Sequence, residues 1–311
     1  MTMKYPIVIQ CYGQIHAEVY GKLNKKMTVK RFYNIAGHTV TLDIEETLAA
    51  TLTNYEPFEA EESTKPVFTL TVREGTDDLD GMKVEWRQEE EGQEIVCGTV
   101  EGKPAFSFVW QGEDGGRLVC DNDYRTAFLT LCGNHRKATV NNAMMVVFAL
   151  ATSPHGTLLF HSSTVSHNGK AYMFLGKSGT GKSTHSRLWL QNIEGTSLVN
   201  DDNPVVRIHD DGMIRVYGSP WSGKTPCYRH VDYELGAIVG LSQAPENKIR
   251  RMKGIEAYAL LAASVSGKRW DKSVADGLHR SLNQLATVAA VWHLDCLPDR
   301  DAALLCMTTT A

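Results

Sequence analysis

Gly176-Lys177-Ser178-Gly179-Thr180-Gly181-Lys182-Ser183 satisfies the pattern GxxxxGK[ST] at every position. Few eight-residue patterns constrain a fold as tightly, because the pattern works only with a strand before it and a helix after it. The sequence offers both: Ala171–Leu175 is an apolar run of strand length, and Lys182–Gln191 reads as a helix. Gly176, Gly179 and Gly181 let the backbone curl until successive N–H groups face one anion. The N-terminus of the following helix adds its partial positive charge. Lys182 has the reach to neutralise the outer phosphates of a nucleotide, and the Ser183 hydroxyl suits a hard cation such as Mg²⁺ or Mn²⁺. The candidate nucleotide-binding set is therefore Gly176, Lys177, Ser178, Gly179, Thr180, Gly181, Lys182, Ser183 and Thr184.

Such a loop needs an acidic partner for the metal. Asp201-Asp202 follows the short strand Ser197–Asn200, one helix and one turn after Lys182. That position is the carboxyl end of a strand, where open α/β sheets bind ligands. Two adjacent carboxylates allow one to hold the metal or its water and the other to accept a proton. The competing reading is a plain Asx-type turn into Asn203-Pro204. His161 lies in a strand, Thr157–Val165, that leads into the Asn168-Gly169 hairpin. If that strand pairs with Ala171–Leu175, His161 falls near the loop, free to bind a metal, touch phosphate or simply pack in the sheet. The turn-rich segment Gly218–Arg229 carries Lys224 and Arg229 and has two readings, a lid or acceptor loop and an ordinary connection.

The chain has two grammars. Residues 1–140 are β-rich: Lys4–Tyr12, Val67–Val72, Met82–Arg87, Ile95–Val100, Ala105–Trp110 and Arg117–Val119 read as strands. Turns are expected at Asp80-Gly81, Glu91-Gly92, Glu101-Gly102 and Asp114-Gly115, and a short helix at Asp43–Leu52 with Asp43 as its cap. Asn141–Thr152 is an apolar helix ended by Ser153-Pro154 and joins the halves. Residues 141–311 then mix strands (Val205–His209, Ile214–Tyr217, Ala237–Leu241, Val291–Asp295) with helices (Gly254–Ser264, Lys272–Thr287, Arg300–Cys306). The expectation is an α/β phosphate-loop domain with a mixed sheet, preceded by a smaller β-rich α+β domain that positions substrate or mediates self-association into a homo-oligomer.

Composition excludes other classes. Of 311 residues, 36 are acidic and 32 basic, so no global basic field exists to hold nucleic acid. The basic stretch Lys248–Lys253, with Arg250 and Arg251, has two readings, a patch for a small anionic ligand and, the favoured one, a solvated helix or loop face. The longest apolar run, Ala143–Ala151, is far short of the roughly 20 residues a spanning helix needs, so no membrane partner is expected. Seven scattered cysteines without a CxxC pair point to reduced thiols and a cytoplasmic location.

From His161 to Asp202 the sequence resembles the kinase domain of the HPr kinase/phosphorylase family, in which a histidine, a GxSGxGKS loop and an aspartate pair occur in this order. His161-Ser162-Ser163-Thr164, Gly176–Ser183 and Asn200-Asp201-Asp202 also resemble ATP-dependent phosphoenolpyruvate carboxykinase. The resemblance implies a shared nucleotide-binding core from Asn141 onward and an ATP-dependent phosphotransferase with a protein or small-molecule acceptor. By it, Asp202 is the proton acceptor, Lys182 and His161 are active-site residues, and Ser183, Asp201 and Asp202 hold the metal; Lys224 and Arg229 are candidates to contact the acceptor from the reading of their own loop, not from the resemblance. A decarboxylase of the carboxykinase type and a nucleotide-binding regulatory module are the alternatives. The signature that follows the aspartates in the kinase family is absent; the Trp221–Arg229 loop stands there instead.

Overall fold

The structure is a computed structural model and describes residues 27–75, 81–90, 92–223 and 225–311. The expected strand Lys4–Tyr12 lies outside the described residues, as do Asp80 and Glu91 of two expected turns. What is described is an α/β fold built on two mixed sheets.

The first sheet uses β1 (Thr28–Ile35), β2 (His38–Glu45), β3 (Phe68–Glu74), β4 (Lys83–Glu90), β5 (Gln93–Val100), β6 (Lys103–Trp110), β7 (Glu113–Cys120) and β8 (Thr126–Leu131), with the helical turn α1 (Glu46–Ala49) after β2. Its spatial order is β1-β2-β3-β8-β7-β6-β5-β4. Only β2–β3 and β3–β8 pair in parallel. Two local expectations change here. Asp43 sits in β2 rather than capping a helix: Val40, Leu42 and Ile44 alternate inward with period two and are fully buried, so the strand pattern prevails to Glu45. Asp114-Gly115 lies within β7, and the turn falls instead at Gln111-Gly112, both with positive φ. A side chain at Gly115 would meet the Trp110 ring at 2.8 Å, so this glycine serves close packing.

Helix α2 (Arg136–Thr152) starts five residues before its expected boundary and ends at Ser153-Pro154, where a 3₁₀ turn follows. Ten of its residues are buried, which fits a helix packed on several sides. It touches β3, β7 and β8 of the first sheet and β9 of the second.

The second sheet contains β9 (Thr157–Leu159), β10 (Ser162–His167), β11 (Lys170–Leu175), β12 (Ser197–Asp202), β13 (Val205–Ile208), β14 (Ile214–Tyr217), β15 (Asp232–Gln243), β16 (Lys248–Arg251) and β17 (Val291–Cys296). Between them run α3 (Lys182–Asn192), α4 (Gly254–Ser264) and α5 (Lys272–Val288), with α6 (Arg300–Thr310) last. Strand order is β12-β10-β11-β15-β14-β13-β9, and β17 joins the C-terminal half of β15. The expected single strand Thr157–Val165 is two: β9 pairs with β13, while β10 pairs with β11 and β12. Phe160 and His161 make the crossing between partners, held by His161 N–H donating to Ser264 O at 2.7 Å. Lys248–Lys253 is likewise not helix or loop throughout. Its first four residues form β16, with Arg250 paired to Glu256 and Arg251 stacked over Trp292.

Alternation in β11 divides the core. Ala171, Met173 and Leu175 join the large cluster that contains α2, α4 and α5, whereas Tyr172 and Phe174 join Trp189 and α6 on the other face. A strand buried on both faces reads as an unbroken apolar run, as this one does. The large cluster also takes in β2, β3 and β8, so the two sheets share one core.

Candidate active site

Strand β11 ends at Leu175, the glycine-rich loop follows, and α3 begins at Lys182. Gly176, Gly179 and Gly181 all have positive φ, at 155°, 80° and 100°, so each occupies backbone space that other residues rarely adopt. Thr180 closes the loop by donating its hydroxyl to Lys177 O at 2.8 Å, and Gln243 at the end of β15 donates to Gly179 O at 3.1 Å. No side chain caps the first turn of α3, so its N–H groups remain open toward the loop. Lys182 folds back to donate to Gly176 O at 3.0 Å and Lys177 O at 3.3 Å. Burial pulls its ammonium below the ordinary lysine value, and the carboxylates of Asp202, Glu90 and Asp201 oppose that pull. A half-buried cation whose hydrogen bonds end on carbonyls is a ready partner for an anion.

The pairing of β10 with β11 places Ser163 opposite Phe174, so His161 emerges beside the start of the loop. On its other side β10 pairs with β12, setting Ser162 opposite Asp202 and Ser163 opposite Asp201. The expected strand Ser197–Asn200 thus continues through the aspartates. His161 Nδ1 lies 3.0 Å from Asp202 Oδ1. Asn203 Nδ2 donates to Asp202 Oδ2 at 2.8 Å, so both carboxylate oxygens are held. The Asx turn weighed as the competing reading exists, but Asn200 makes it: its Oδ1 accepts from the N–H groups of Asp202 and Asn203. That leaves the aspartate side chains for other work. Asp201 is buried, and its Oδ1 has no hydrogen-bond partner. Beneath, Ser163 and Ser186 of α3 share a 2.5 Å hydrogen bond that ties β10 to α3.

The Gly218–Arg229 segment is anchored. Ser222 bridges to Asp202, and Gly223 N–H donates to Asp201 O at 3.2 Å. A side chain at Gly223 would meet Asp201 O at 2.9 Å, so this glycine permits close approach to the aspartates rather than motion. Trp221 is buried, and its indole N–H donates to Tyr55 OH at 3.0 Å. Asn54 Nδ2 donates to Pro220 O at 3.0 Å. Two residues of the β-rich half thereby grip the loop that seats the aspartates. Arg229 is not brought to the site: its guanidinium donates to Leu198 O and, at 3.3 Å, to Ser197 Oγ, at the opposite end of β12 from Asp202. Lys224 lies outside the described residues.

The structure therefore gathers His161, Lys182, Asp201 and Asp202 around one loop. Sequence reasoning missed Asn203, Asn54 and Tyr55 as contributors. Asn203 had a local signal, being the polar residue adjoining the aspartate pair; the other two lie more than a hundred residues away and had none. Among the described residues no three or more His, Cys, Asp or Glu side chains cluster to hold a metal by themselves. The donors present, one serine hydroxyl and a buried carboxylate oxygen without a partner, fit a hard cation that takes its other ligands from water and phosphate. No model of a known protein family matches the chain, and a search of curated proteins finds no match.

Proposed function

We propose that the chain is an ATP-dependent phosphotransferase of the HPr-kinase-like class, passing the γ-phosphate of ATP to a hydroxyl. The observation that carries this reading is the Asp202 carboxylate, held between His161 and Asn203 at the strand end that adjoins the glycine-rich loop. A carboxylate fixed on both oxygens is oriented, and orientation is what a general base needs before its affinity for a proton matters.

In this reading the ATP phosphates lie on the N–H groups of Gly176–Ser183. Lys182 exchanges its carbonyl partners for phosphate oxygens and stabilises the charge on the group in transfer. Asp202 accepts the proton of the attacking hydroxyl as the new O–P bond forms and the bond to ADP breaks. His161 and Asn203 keep that carboxylate aimed. Asp201 and Ser183 would hold Mg²⁺, which when bound supplies charge neutralisation on the phosphates. The buried, unpartnered Asp201 Oδ1 supports that assignment.

The test is incubation of the purified chain and γ-labelled ATP with a cell lysate. Label is expected in an acid-stable phosphoester, dependent on Mg²⁺ and absent with Asp202→Asn. Turnover of ATP that requires oxaloacetate and releases CO₂ would replace the kinase reading with the carboxykinase one.

A further inference from the structure

One element of the β-rich half reaches toward the glycine-rich loop and the aspartates. Strand β4 closes the first sheet, and among the described strands it pairs with β5 alone. All eight of its residues are exposed. One end is fastened beside the site by Glu85, which accepts from Lys268 at 2.9 Å and from the Trp270 indole at 2.7 Å. Lys268 follows by four residues Ser264, whose carbonyl holds His161. The other end, Glu90, comes close enough to Lys182 to act on its charge. The strand, roughly 26 Å long at ordinary strand rise, is thus tied at Glu85 to the segment that follows Ser264 and acts on the Lys182 charge from its Glu90 end.

An open edge this long presents a row of unused N–H and C=O groups, a template that proteins normally blunt. Here it also carries exposed aromatic surface: Trp86 and Trp270 are 46% and 51% accessible with rings 6.1 Å apart. Glu85 is occupied by Lys268, and Arg87 by Glu94. What remains at the end nearest Lys182 is the negative charge of Glu89 and Glu90.

We propose that β4 is the docking edge for a protein acceptor, whose extended, basic segment adds to it as a further strand, packs a side chain against Trp86 and Trp270, and delivers a serine or threonine hydroxyl to the glycine-rich loop. This rests on the kinase reading for its purpose, though not for its geometry. Main-chain pairing supplies affinity and alternate side chains supply selectivity, as in other strand-addition complexes. The basic residues of the segment face Glu90, which shares its face of β4 with Trp86 and would repel an acidic segment.

The test titrates the full chain, calorimetrically, with an octapeptide of alternating lysine and valine around one serine, and with its glutamate-for-lysine twin. The basic peptide is expected to bind about tenfold tighter than the twin or better, and Glu89→Lys with Glu90→Lys to abolish that preference. Trp86→Ala is expected to weaken binding several-fold; its side chain is half exposed, so this variant decides if the double variant fails to fold. Equal binding of the twins, or binding indifferent to both variants, overturns the docking edge. Addition of γ-labelled ATP separates the two ideas. Edge-dependent binding with no label on the peptide serine sustains the docking edge and counts against the kinase reading. Labelling that ignores the β4 variants does the reverse.

Discussion

Lys182 bonds only to carbonyls of its own loop, while burial disfavours its charge, so an anion that arrives there satisfies a cation already in place. Lys182→Ala is expected to cost on the order of 100-fold or more in turnover or ATP affinity, the scale of a lost transition-state charge contact; unchanged kinetics and binding together would contradict this. Asp202→Asn should keep ATP affinity within a few-fold and lose transfer, because an amide cannot take the proton. Asn203 acts through Asp202 rather than on substrate. Asn203→Ala frees one carboxylate oxygen, so kcat should fall while KM for ATP holds; Asn203→Gln, which keeps an amide donor, should lose less, and Asn203→Asp, which sets a second carboxylate beside the first, should lose more. Steady-state kinetics of the three variants, with pH profiles, distinguishes this from a packing role.

At the scale of elements, the loop Ser219–Ser222 links the two halves to the aspartates. Tyr55 accepts from the Trp221 indole, and both are buried. Tyr55→Phe leaves that N–H without a partner at a cost of about 1–3 kcal/mol, to be read as a lower urea midpoint. Because Ser222 bridges to Asp202, transfer should fall more than ATP affinity. How legible these elements were varies with where their determinants lie. The Asn168-Gly169 hairpin, the loop and α3 were readable because turn chemistry and apolar runs are local. The break at Phe160-His161 was not, since it exists only because β9 and β10 pair with different strands. Asp114-Gly115 carried a strong turn signal that lost to the register of β7 against β6 and to the packing of Gly115 on Trp110. The aspartate pair was found by its spacing from Lys182, and Asn200 and Asn203 adjoin it in sequence; Asn54 and Tyr55, which hold the Trp221 loop beside it, came from tertiary contacts.

The whole molecule joins two sheets through one core, and its seam holds a buried histidine. His38 lies 2.8 Å from Thr157 Oγ1 across the two halves. Burial lowers its pKa to about 3, helped by the cationic Arg207 and by His155 and His209. Its folded value lies below the ordinary 6.5, so the stability it contributes is complete above that pH and is lost as pH falls toward the folded value. At pH 5 the loss attributable to this ring is about 2 kcal/mol. Urea unfolding at pH 7.5 and pH 5 should therefore show a smaller acid loss for His38→Gln than for the wild type. No helix among the described residues is long and apolar enough to cross a membrane. The most direct measurement of all is calorimetric titration of the full chain with ATP, with and without Mg²⁺, for the wild type and for Lys182→Ala. The wild type should bind one ATP per chain, more tightly with Mg²⁺, and Lys182→Ala should lose that binding by about 100-fold or lose turnover to the same extent. Absence of ATP binding by the wild type, or affinity and turnover that ignore both Mg²⁺ and Lys182, would contradict the assignment of Gly176–Ser183 as the nucleotide site.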